Sequence, residues 1–280
     1  MKKIAPPADG IHTRVPFEVY RSWDAWNHSA LSKFHLSAMH ALAAYNEEAG
    51  EPTADQQLGS AIHVWILERD QYAAKVALQP QFSGEGSKAI KAAWEAANAH
   101  KIIIPSHRQA DVEAVGRAIR ANAQCRALAM NPGDPETAIV WTDKATGLRL
   151  KGRCDKWYGK HGLFLDLKST RDASERKFTK SIVDYWYWTQ AEFYRTGFAA
   201  CGAADHRGLL LAVEKDRPYG VAIYAVDHWR ELAGKQIRNW LSQAKVCQDA
   251  GKWPGFVEGI VQTQPPKWLE QSWANFEEAE

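Results

Sequence analysis

Residues 151–170 of this 280-residue chain have the sequence KGRCDKWYGKHGLFLDLKST, which gives the clearest indication of fold and chemistry. Two strand-like stretches, Leu148–Tyr158 and Leu163–Thr170, are joined by a short glycine-containing turn, which predicts an antiparallel hairpin. Side chains alternate between the faces of a strand, so Asp166 and Lys168 share one face and the intervening leucines form the other. The pattern therefore presents an acid and a lysine together on a strand whose back is buried.

Asp155 lies on the first strand of this hairpin, and a suitable register brings it within reach of Asp166 across the ladder. Carboxylate oxygens are the ligands that Mg²⁺ prefers, with water and substrate phosphate completing its shell. A neighbouring lysine can stabilise charge on a phosphate or help to position an attacking water. The alternative is a solvated strand face with an ordinary polar pair, and the hairpin alone leaves both interpretations open.

Upstream of the hairpin, apolar residues recur at helical spacing in three segments, and a turn cluster at 131–135 precedes the first strand. The predicted elements are a helix from an N-cap at Ser29 to Gly50, a helix from about Asp55 to Arg69, a mobile loop at 83–87, a helix from a capping box at Ser106 and Gln109 to about Ala129, and a strand over Thr137–Thr142.

Downstream of the hairpin, helices and strands continue to alternate. The predicted elements are a long helix from about Ser174 to Gly202, strands over Gly208–Glu214 and Gly220–Asp227, and a last helix from Asp227 to about Ala250. This order predicts an α/β fold in which helices cover a small mixed sheet. We expect a loose proline-containing arm at 1–16, one domain at 17–252 and an acidic tail at 253–280.

The composition is that of an ordinary globular protein, with 45% hydrophobic residues, 24% charged residues and a net charge of +2, which excludes wholesale disorder. No apolar run approaches the roughly 18 residues of a membrane span, and none follows the basic start as in a secretory signal. The four cysteines form no CxxC pair. We therefore expect a cytoplasmic protein with reduced cysteines and no membrane association.

Charge is distributed unevenly along the chain. Between Lys144 and Lys180 there are eleven basic and four acidic residues, a local net charge of +7 that favours a phosphate-bearing substrate, although a solvated hairpin can have the same composition. The segment after Pro254 is acidic and is not expected to contact DNA. The aromatic run Tyr185-Trp-Tyr-Trp188 could stack unpaired bases, whereas core packing is favoured for Trp186 or Trp188.

Four residues outside the hairpin are further candidates for the site. His63 lies in the middle of a predicted helix, Glu136 precedes the first strand, and Gln190 and Tyr194 lie one helical turn apart on one face. Each also has an ordinary structural explanation: His63 as a hydrogen-bonded core histidine, Glu136 as an exposed loop acid, and Gln190 and Tyr194 as residues that pack the helix.

Taken together and in this order, these elements resemble the PD-(D/E)XK nuclease superfamily. The closest resemblance is to the RecE-type (exonuclease VIII-like) phage and prophage exonucleases, relatives of lambda exonuclease and the RecB nuclease domain. It covers about Tyr20 to Lys252 and implies a restriction-endonuclease-like α/β core. The motifs that carry it are Ser29-Ala-Leu-Ser, Gly59-Ser-Ala-Ile-His63, Glu136 before a strand, Lys151-Gly-Arg-Cys-Asp155, Asp166-Leu-Lys168-Ser-Thr170 and Tyr185-x4-Gln190-Ala-Glu-Phe-Tyr194.

The resemblance implies a role for each matching residue. The implied metal ligands are His63, Asp155, Asp166 and the carbonyl of Leu167; the catalytic lysine is Lys168; a further active-site acid is Glu136; and the DNA-contacting residues are Gln190, Tyr194, Arg153, Ser169 and Thr170. The second acid is aspartate where the superfamily allows Asp or Glu, and both bind Mg²⁺. Iron–sulfur relatives cluster three of four cysteines near the C-terminus, whereas here Cys247 stands alone after Cys201, so we expect no cluster.

The activity implied by the resemblance is that of a Mg²⁺-dependent exodeoxyribonuclease, with Mn²⁺ able to substitute, which degrades linear double-stranded DNA from an end. It further implies 5′→3′ polarity, a ring-like homo-oligomer around DNA and a single-strand annealing protein as partner in recombination. Two alternatives stay open: a catalytically silent module that binds DNA ends, and an endonuclease or other end-processing enzyme on the same core. The intact set of Asp155, Asp166 and Lys168 argues against the silent module.

Overall fold

The computed structural model describes residues 3–46, 50–257 and 259–269. In this part of the chain the strands are β1 (Gly10–His12), β2 (Val76–Gln79), β3 (Ile102–Pro105), β4 (Asp134–Thr142), β5 (Arg149–Tyr158), β6 (Leu163–Thr170), β7 (Arg207–Glu214) and β8 (Val221–Ala225). The helices are α1 (Phe17–Ser22), α2 (His28–Leu31), α3 (Ala38–Asn46), α4 (Ala54–Leu67), α5 (Tyr72–Lys75), α6 (Ser87–Asn98), α7 (Gln109–Ala121), α8 (Ala123–Met130), α9 (Glu175–Asp184), α10 (Tyr187–Ala200) and α11 (Arg230–Ala250).

The main sheet has six strands in the order β1-β4-β5-β6-β7-β8, and β2 pairs with β3 in a separate two-stranded sheet. Neighbours in the main sheet are antiparallel except β6 and β7, which run parallel from Leu163↔Arg207 to Thr170↔Glu214. Parallel neighbours need a crossover, and α9 and α10 supply it. The predicted α/β fold with a small mixed sheet flanked by helices is confirmed.

Two hydrophobic cores lie on opposite faces of the sheet. One contains Phe164 of β6 together with residues of α10 and α11, and the other contains Leu165 and Leu167 of β6 together with residues of α4 and α7. A fully buried leucine or phenylalanine contributes about 1.5–3 kcal/mol. Since both faces of β6 are packed, this strand is a rigid support for Asp166 and Lys168.

The first predicted helix begins and ends differently in the structure. Asn27, rather than Ser29, is the N-cap, since its side-chain oxygen accepts a hydrogen bond of 2.8 Å from the backbone N–H of Ala30. The helix ends at Leu31, and a short 3-10 turn separates it from α3. Asparagine and serine are equally good N-caps, so the sequence does not distinguish the two starts.

The other two long helices are each interrupted. The predicted capping box at Ser106 and Gln109 does not form, because α7 begins without a side-chain cap, and Asn122 caps a second helix, α8. The helix predicted from Ser174 to Gly202 is divided into α9 and α10 at Trp186, which has φ 60°. Strands β1, β2 and β3 and helix α6 were not predicted.

Part of the segment 1–16, expected to be a loose arm, forms a strand. Gly10–His12 pairs with β4 at the edge of the main sheet, where the neighbouring prolines are tolerated. Trp253, the first residue of the predicted tail, packs against Trp26 with ring centroids 5.8 Å apart. The acidic residues of that tail lie outside the described residues (Glu258, Glu270, Glu277, Glu278 and Glu280). The domain boundaries stay a prediction.

Among the helices that the structure describes, none combines the length and apolar character that crossing a membrane requires.

Candidate active site

The centre of the candidate site is the point where β5 and β6 separate. Their pairing extends from Tyr158↔Leu163 to Lys156↔Leu165 and stops there. One residue further along, Oδ2 of Asp155 accepts a hydrogen bond of 2.6 Å from the backbone N–H of Leu167, so a carboxylate takes the place of a strand partner. The hairpin register thus brings Asp155 to β6 beside Asp166.

Asp166 is only 4% exposed and lies on the face of β6 that α10 covers. Its Oδ2 forms an ion pair with Nζ of Lys168. Burial raises the pKa of the Asp166 carboxyl to about 6; the charge of Lys168 opposes this shift, and the negative charge of Asp155 adds to it. Two carboxyl groups close together in a desolvated site lower the stability of the folded protein. A bound cation would offset this loss.

Lys168 has a fixed position between three groups. Besides Asp166, its Nζ donates a hydrogen bond of 2.8 Å to Oε1 of Gln190 and lies 4.4 Å from the centre of the Tyr187 ring. Burial lowers the pKa of the Lys168 ammonium, but the charges of Asp166, Tyr187 and Asp155 and the hydrogen bond to Asp166 together outweigh it, and the pKa lies above its ordinary value. Lys168 is therefore a positively charged group at neutral pH.

Gln190 and Tyr194 support Lys168 from α10. Nε2 of Gln190 donates a hydrogen bond of 3.0 Å to the Tyr194 hydroxyl, as expected for residues one turn apart. The Tyr194 ring is buried against Gly152, where a Cβ atom would lie only 2.8 Å from a ring carbon. Tyr194 thus braces Gln190 from inside the protein, and contact of either residue with DNA stays a prediction.

His63 approaches the same carboxylate from the other side of the sheet. It lies on α4, which begins with a capping box formed by Thr53 and Gln56. Its Nδ1 is 3.6 Å from Oδ2 of Asp155, too far for a hydrogen bond. Close packing at Gly59, one turn earlier, sets this approach, since a Cβ there would lie 2.7 Å from Oγ of Ser169.

Glu136 and Arg153 form a pair of oppositely charged side chains close to Asp155. They make a 2.8 Å ion pair, and the Arg153 guanidinium also lies 4.9 Å from the centre of the Phe17 ring. The pKa of Glu136 is raised to about 8, chiefly by burial and also by the charge of Asp155, while the charge of Arg153 opposes the shift. Glu136 has φ 52°, a left-handed conformation that is unusual for a side chain of this kind.

Ser169 and Thr170 lie at the edge of the site. Ser169 faces Gly59 of α4, on the side of β6 opposite to Asp166 and Lys168. The Thr170 hydroxyl accepts a hydrogen bond from the backbone N–H of Asp172 and shapes the turn into α9. Their DNA-binding role stays a prediction.

Two further residues belong to this neighbourhood and were missed. Glu68, at the C-cap of α4, pairs with Lys75 at 2.6 Å, and its charge contributes to the raised pKa of Glu136. Its position five residues after His63 was the available signal. Tyr187 contacts Lys168, and nothing in the sequence distinguishes it from the other aromatic residues of 185–188.

The donor set fits a hard divalent cation. Within residues 3–46, 50–257 and 259–269, no three His, Cys, Asp or Glu side chains form a complete metal cage. Mg²⁺ does not require one, because it usually keeps several waters and binds through one or two carboxylates and a substrate phosphate. Asp155 and Asp166 provide the two carboxylates, and Oδ2 of the buried Asp166 makes no hydrogen bond of good geometry in the described part of the chain. The ion pair with Lys168 supplies positive charge at that oxygen.

Much of the predicted basic surface is used to hold the fold. Lys151 and Lys156 are buried and donate to backbone carbonyls, while Arg149 pairs with Asp9 and Arg153 pairs with Glu136. The local charge of +7 therefore overstates what a ligand meets. Exposed basic residues remain on and before α9 (Arg171, Arg176 and Lys177), whereas Lys180 pairs with Asp184.

A family match and one structural match agree with this architecture. The family described as a PDDEXK-like domain of unknown function (DUF3799) matches residues 27–262. A candidate exonuclease from Eubacterium rectale is structurally similar, with a TM-score of 0.58 and 14% identity over 91% of this chain and 94% of that chain. A phage-related exonuclease from Haemophilus somnus aligns with a TM-score of 0.35 and 13% identity over 79% of this chain and 92% of that chain. No curated protein sequence matches the chain.

Proposed function

This chain belongs to the family of PDDEXK-like domains, and we propose that it is a deoxyribonuclease that uses Mg²⁺ to degrade linear double-stranded DNA from an end. The observation that carries the proposal is the meeting of Asp155, Asp166 and Lys168 where β5 and β6 separate. Two acids and a half-buried ammonium at one point suit phosphodiester hydrolysis, which needs a cation and a donor for the phosphate oxygens.

In this proposal Asp155, Asp166, His63 and the Leu167 carbonyl hold the cation. A bound divalent cation supplies an activated water and neutralises charge on the scissile phosphate. Lys168 acts as a fixed positive charge that donates hydrogen bonds to a phosphate oxygen as negative charge develops there. Gln190 holds the ammonium in place, so little reorganisation is needed when the phosphate binds.

DNA as the substrate is supported by the family, by the exonuclease description of the structural relative and by the exposed basic residues of α9. We further propose 5′→3′ polarity, replacement of Mg²⁺ by Mn²⁺, a ring-like homo-oligomer around DNA and a single-strand annealing partner, in a cytoplasmic setting. These features rest on the resemblance of the motifs to RecE-type exonucleases.

The test is a nuclease assay on linear duplex labelled at the 5′ or the 3′ end, with covalently closed circular DNA of the same sequence as control. We expect Mg²⁺-dependent release of nucleotides from linear DNA, none from circular DNA, and none with chelator. Asp166→Asn and Lys168→Met are expected to abolish activity while retaining the far-UV circular dichroism spectrum of the wild type.

Each other outcome identifies a different function. Cleavage of circular DNA would indicate an endonuclease on the same core. Binding of DNA ends without hydrolysis in the presence of either Mg²⁺ or Mn²⁺ would indicate a catalytically silent module. Wild-type activity in Asp166→Asn or Lys168→Met would refute the assigned site.

A further inference from the structure

The corner between α9 and α10 has an unusual backbone. Trp186 has φ 60° and ψ 28°, the left-handed region. For a bulky residue such a conformation costs on the order of 1–3 kcal/mol and persists only where the surroundings fix it. The corner is therefore held in this form by its packing.

Contacts behind the corner hold it. The Trp186 ring packs against Trp188 and Trp240, with ring centroids 5.7 Å and 5.1 Å away. The Trp186 carbonyl accepts a 2.8 Å hydrogen bond from the Thr189 hydroxyl, and that hydroxyl accepts one of 2.8 Å from Nε2 of the buried His28. The Trp186 side chain thus packs inward, as the sequence favoured for Trp186 or Trp188. The adjacent Tyr185 side chain is exposed.

The corner presents Tyr185 to solvent. Tyr185 is 65% exposed, so burial does not explain an aromatic residue here. Its ring is stacked with that of Tyr187, with centroids 5.6 Å apart and an interplanar angle of 27°. Tyr187 in turn lies against Nζ of Lys168 at 4.4 Å. Two stacked rings therefore connect the surface to the lysine of the candidate site.

A basic residue is aligned with this exposed ring. The backbone N–H of Tyr185 bonds to the carbonyl of Ser181 at 3.0 Å, so helical spacing continues to Tyr185. Lys177, Ser181 and Tyr185 consequently form one ridge, and Lys177 is exposed. An exposed aromatic ring following a basic residue along one ridge is the combination that proteins use to bind single-stranded nucleic acid.

We propose that Tyr185, backed by Tyr187, stacks an unpaired nucleobase of a DNA strand whose phosphate occupies the site, while Lys177 contacts the backbone of the same strand. This inference rests on the proposed function and specifies its substrate: a DNA end with unpaired bases, frayed or extended, is bound in preference to a fully paired end. Tyr185 is a binding residue in this account.

The experiment uses linear duplex with a short unpaired extension that contains 2-aminopurine, whose fluorescence is quenched when it stacks on an aromatic ring. Binding is measured in chelator, so that hydrolysis does not interfere, and turnover is measured separately in Mg²⁺. The variants are Tyr185→Ala, Tyr185→Phe and Tyr185→Leu. Phe256→Ala is the matched control, because Phe256 is equally exposed, at 68%, in a different segment.

We expect quenching by the wild type and by Tyr185→Phe and Phe256→Ala, and its loss in Tyr185→Ala and Tyr185→Leu. Affinity for the extended end should fall about tenfold in Tyr185→Ala, with a small change for a blunt end. Unchanged quenching in Tyr185→Ala, or equal losses in Tyr185→Ala and Phe256→Ala, would overturn the proposal. Absence of hydrolysis by the wild type would overturn the proposed nuclease instead, and Tyr185-dependent quenching would still establish the stacking contact.

Discussion

Lys168 on β6 and Gln190 on α10 are joined by a 2.8 Å hydrogen bond that connects the sheet to the crossover helix. The lysine also contacts Asp166, and the glutamine also bonds to Tyr194. The direction of the ammonium is therefore set both by the sheet and by the crossover helix.

Replacing Gln190 by leucine should lower kcat with little effect on KM, because the ammonium loses the acceptor that positions it. We expect a loss of about 10- to 100-fold, as for other small misplacements of a reacting group. Steady-state kinetics on linear duplex measures the effect. Tyr194→Phe, which removes only the outer hydrogen bond, is the control and should lose less. Equal kcat in Gln190→Leu and wild type would contradict this role.

Affinity for Mg²⁺ should depend on pH through Asp166. Since the pKa of Asp166 is raised to about 6, the carboxyl is protonated below that pH, and a cation must displace the proton. Isothermal titration calorimetry should give an affinity that falls about tenfold per pH unit below about pH 6 and is nearly constant above it. Asp166→Asn should bind weakly at every pH. Constant wild-type affinity through the acidic range would exclude Asp166 as a ligand.

Glu136→Gln should stabilise the protein at neutral and alkaline pH. The pKa of Glu136 is about 8 in the folded protein, above its ordinary value of 4.5, so the folded state keeps a proton that the unfolded state releases between these values. Wild-type stability is therefore lost as the pH rises from about 4.5 to about 8. Glutamine does not titrate, so the stability advantage of Glu136→Gln over the wild type should grow across that range to on the order of 5 kcal/mol. Urea denaturation at several pH values measures the stability difference between Glu136→Gln and the wild type. A difference that does not vary with pH would contradict the raised pKa of Glu136.

Lys151→Met should destabilise the protein more than Lys156→Met. Nζ of Lys151 donates to three carbonyls at the end of α1 (Tyr20, Arg21 and Trp23), whereas Nζ of Lys156 donates to one (Ala129). Each lost hydrogen bond costs about 1 kcal/mol, and more where the donor is charged. We expect the difference between the two variants to exceed about 2 kcal/mol in urea denaturation. Equal losses would show that the number of carbonyl partners does not determine the effect.

Gly59→Ala should reduce activity, and Ser169→Ala should restore it in the double variant. The added Cβ would lie 2.7 Å from Oγ of Ser169 but 3.7 Å from its Cβ, so removing the hydroxyl removes the clash. A shift of α4 displaces His63 from Asp155, and we expect the single variant to lose about 10-fold or more in kcat/KM. The double-mutant cycle measures the coupling. Additive effects of the two substitutions would exclude this contact as the cause.

The hairpin could be predicted from the sequence because it depends on local alternation of apolar and polar residues, whereas the sequence leaves its register open. Strand β6 has the predicted bounds, and Asp155 reaches β6 as expected. The separation of the strands at that point could not be predicted, since it follows from a side chain that replaces a backbone partner.

The helix interruptions were missed for a related reason. Helical periodicity continues through Trp186, and only the packing of its ring against Trp240 and the hydrogen bond from Thr189 fix the left-handed corner. Likewise, the sequence gives no sign that Lys151 and Lys156 are buried, because their acceptors are carbonyls distant along the chain. Tertiary contacts, rather than local preference, decide these features.

The hydrogen bond from the Leu167 amide gives Asp155 a structural role in addition to its proposed catalytic one. If a descendant of this protein lost hydrolysis by drift, substitution of Asp155 would also unpair the backbone of the central strand. Substitution of Lys168 leaves that strand intact. Inactive descendants should therefore lose Lys168 first and retain Asp155 for its structural role.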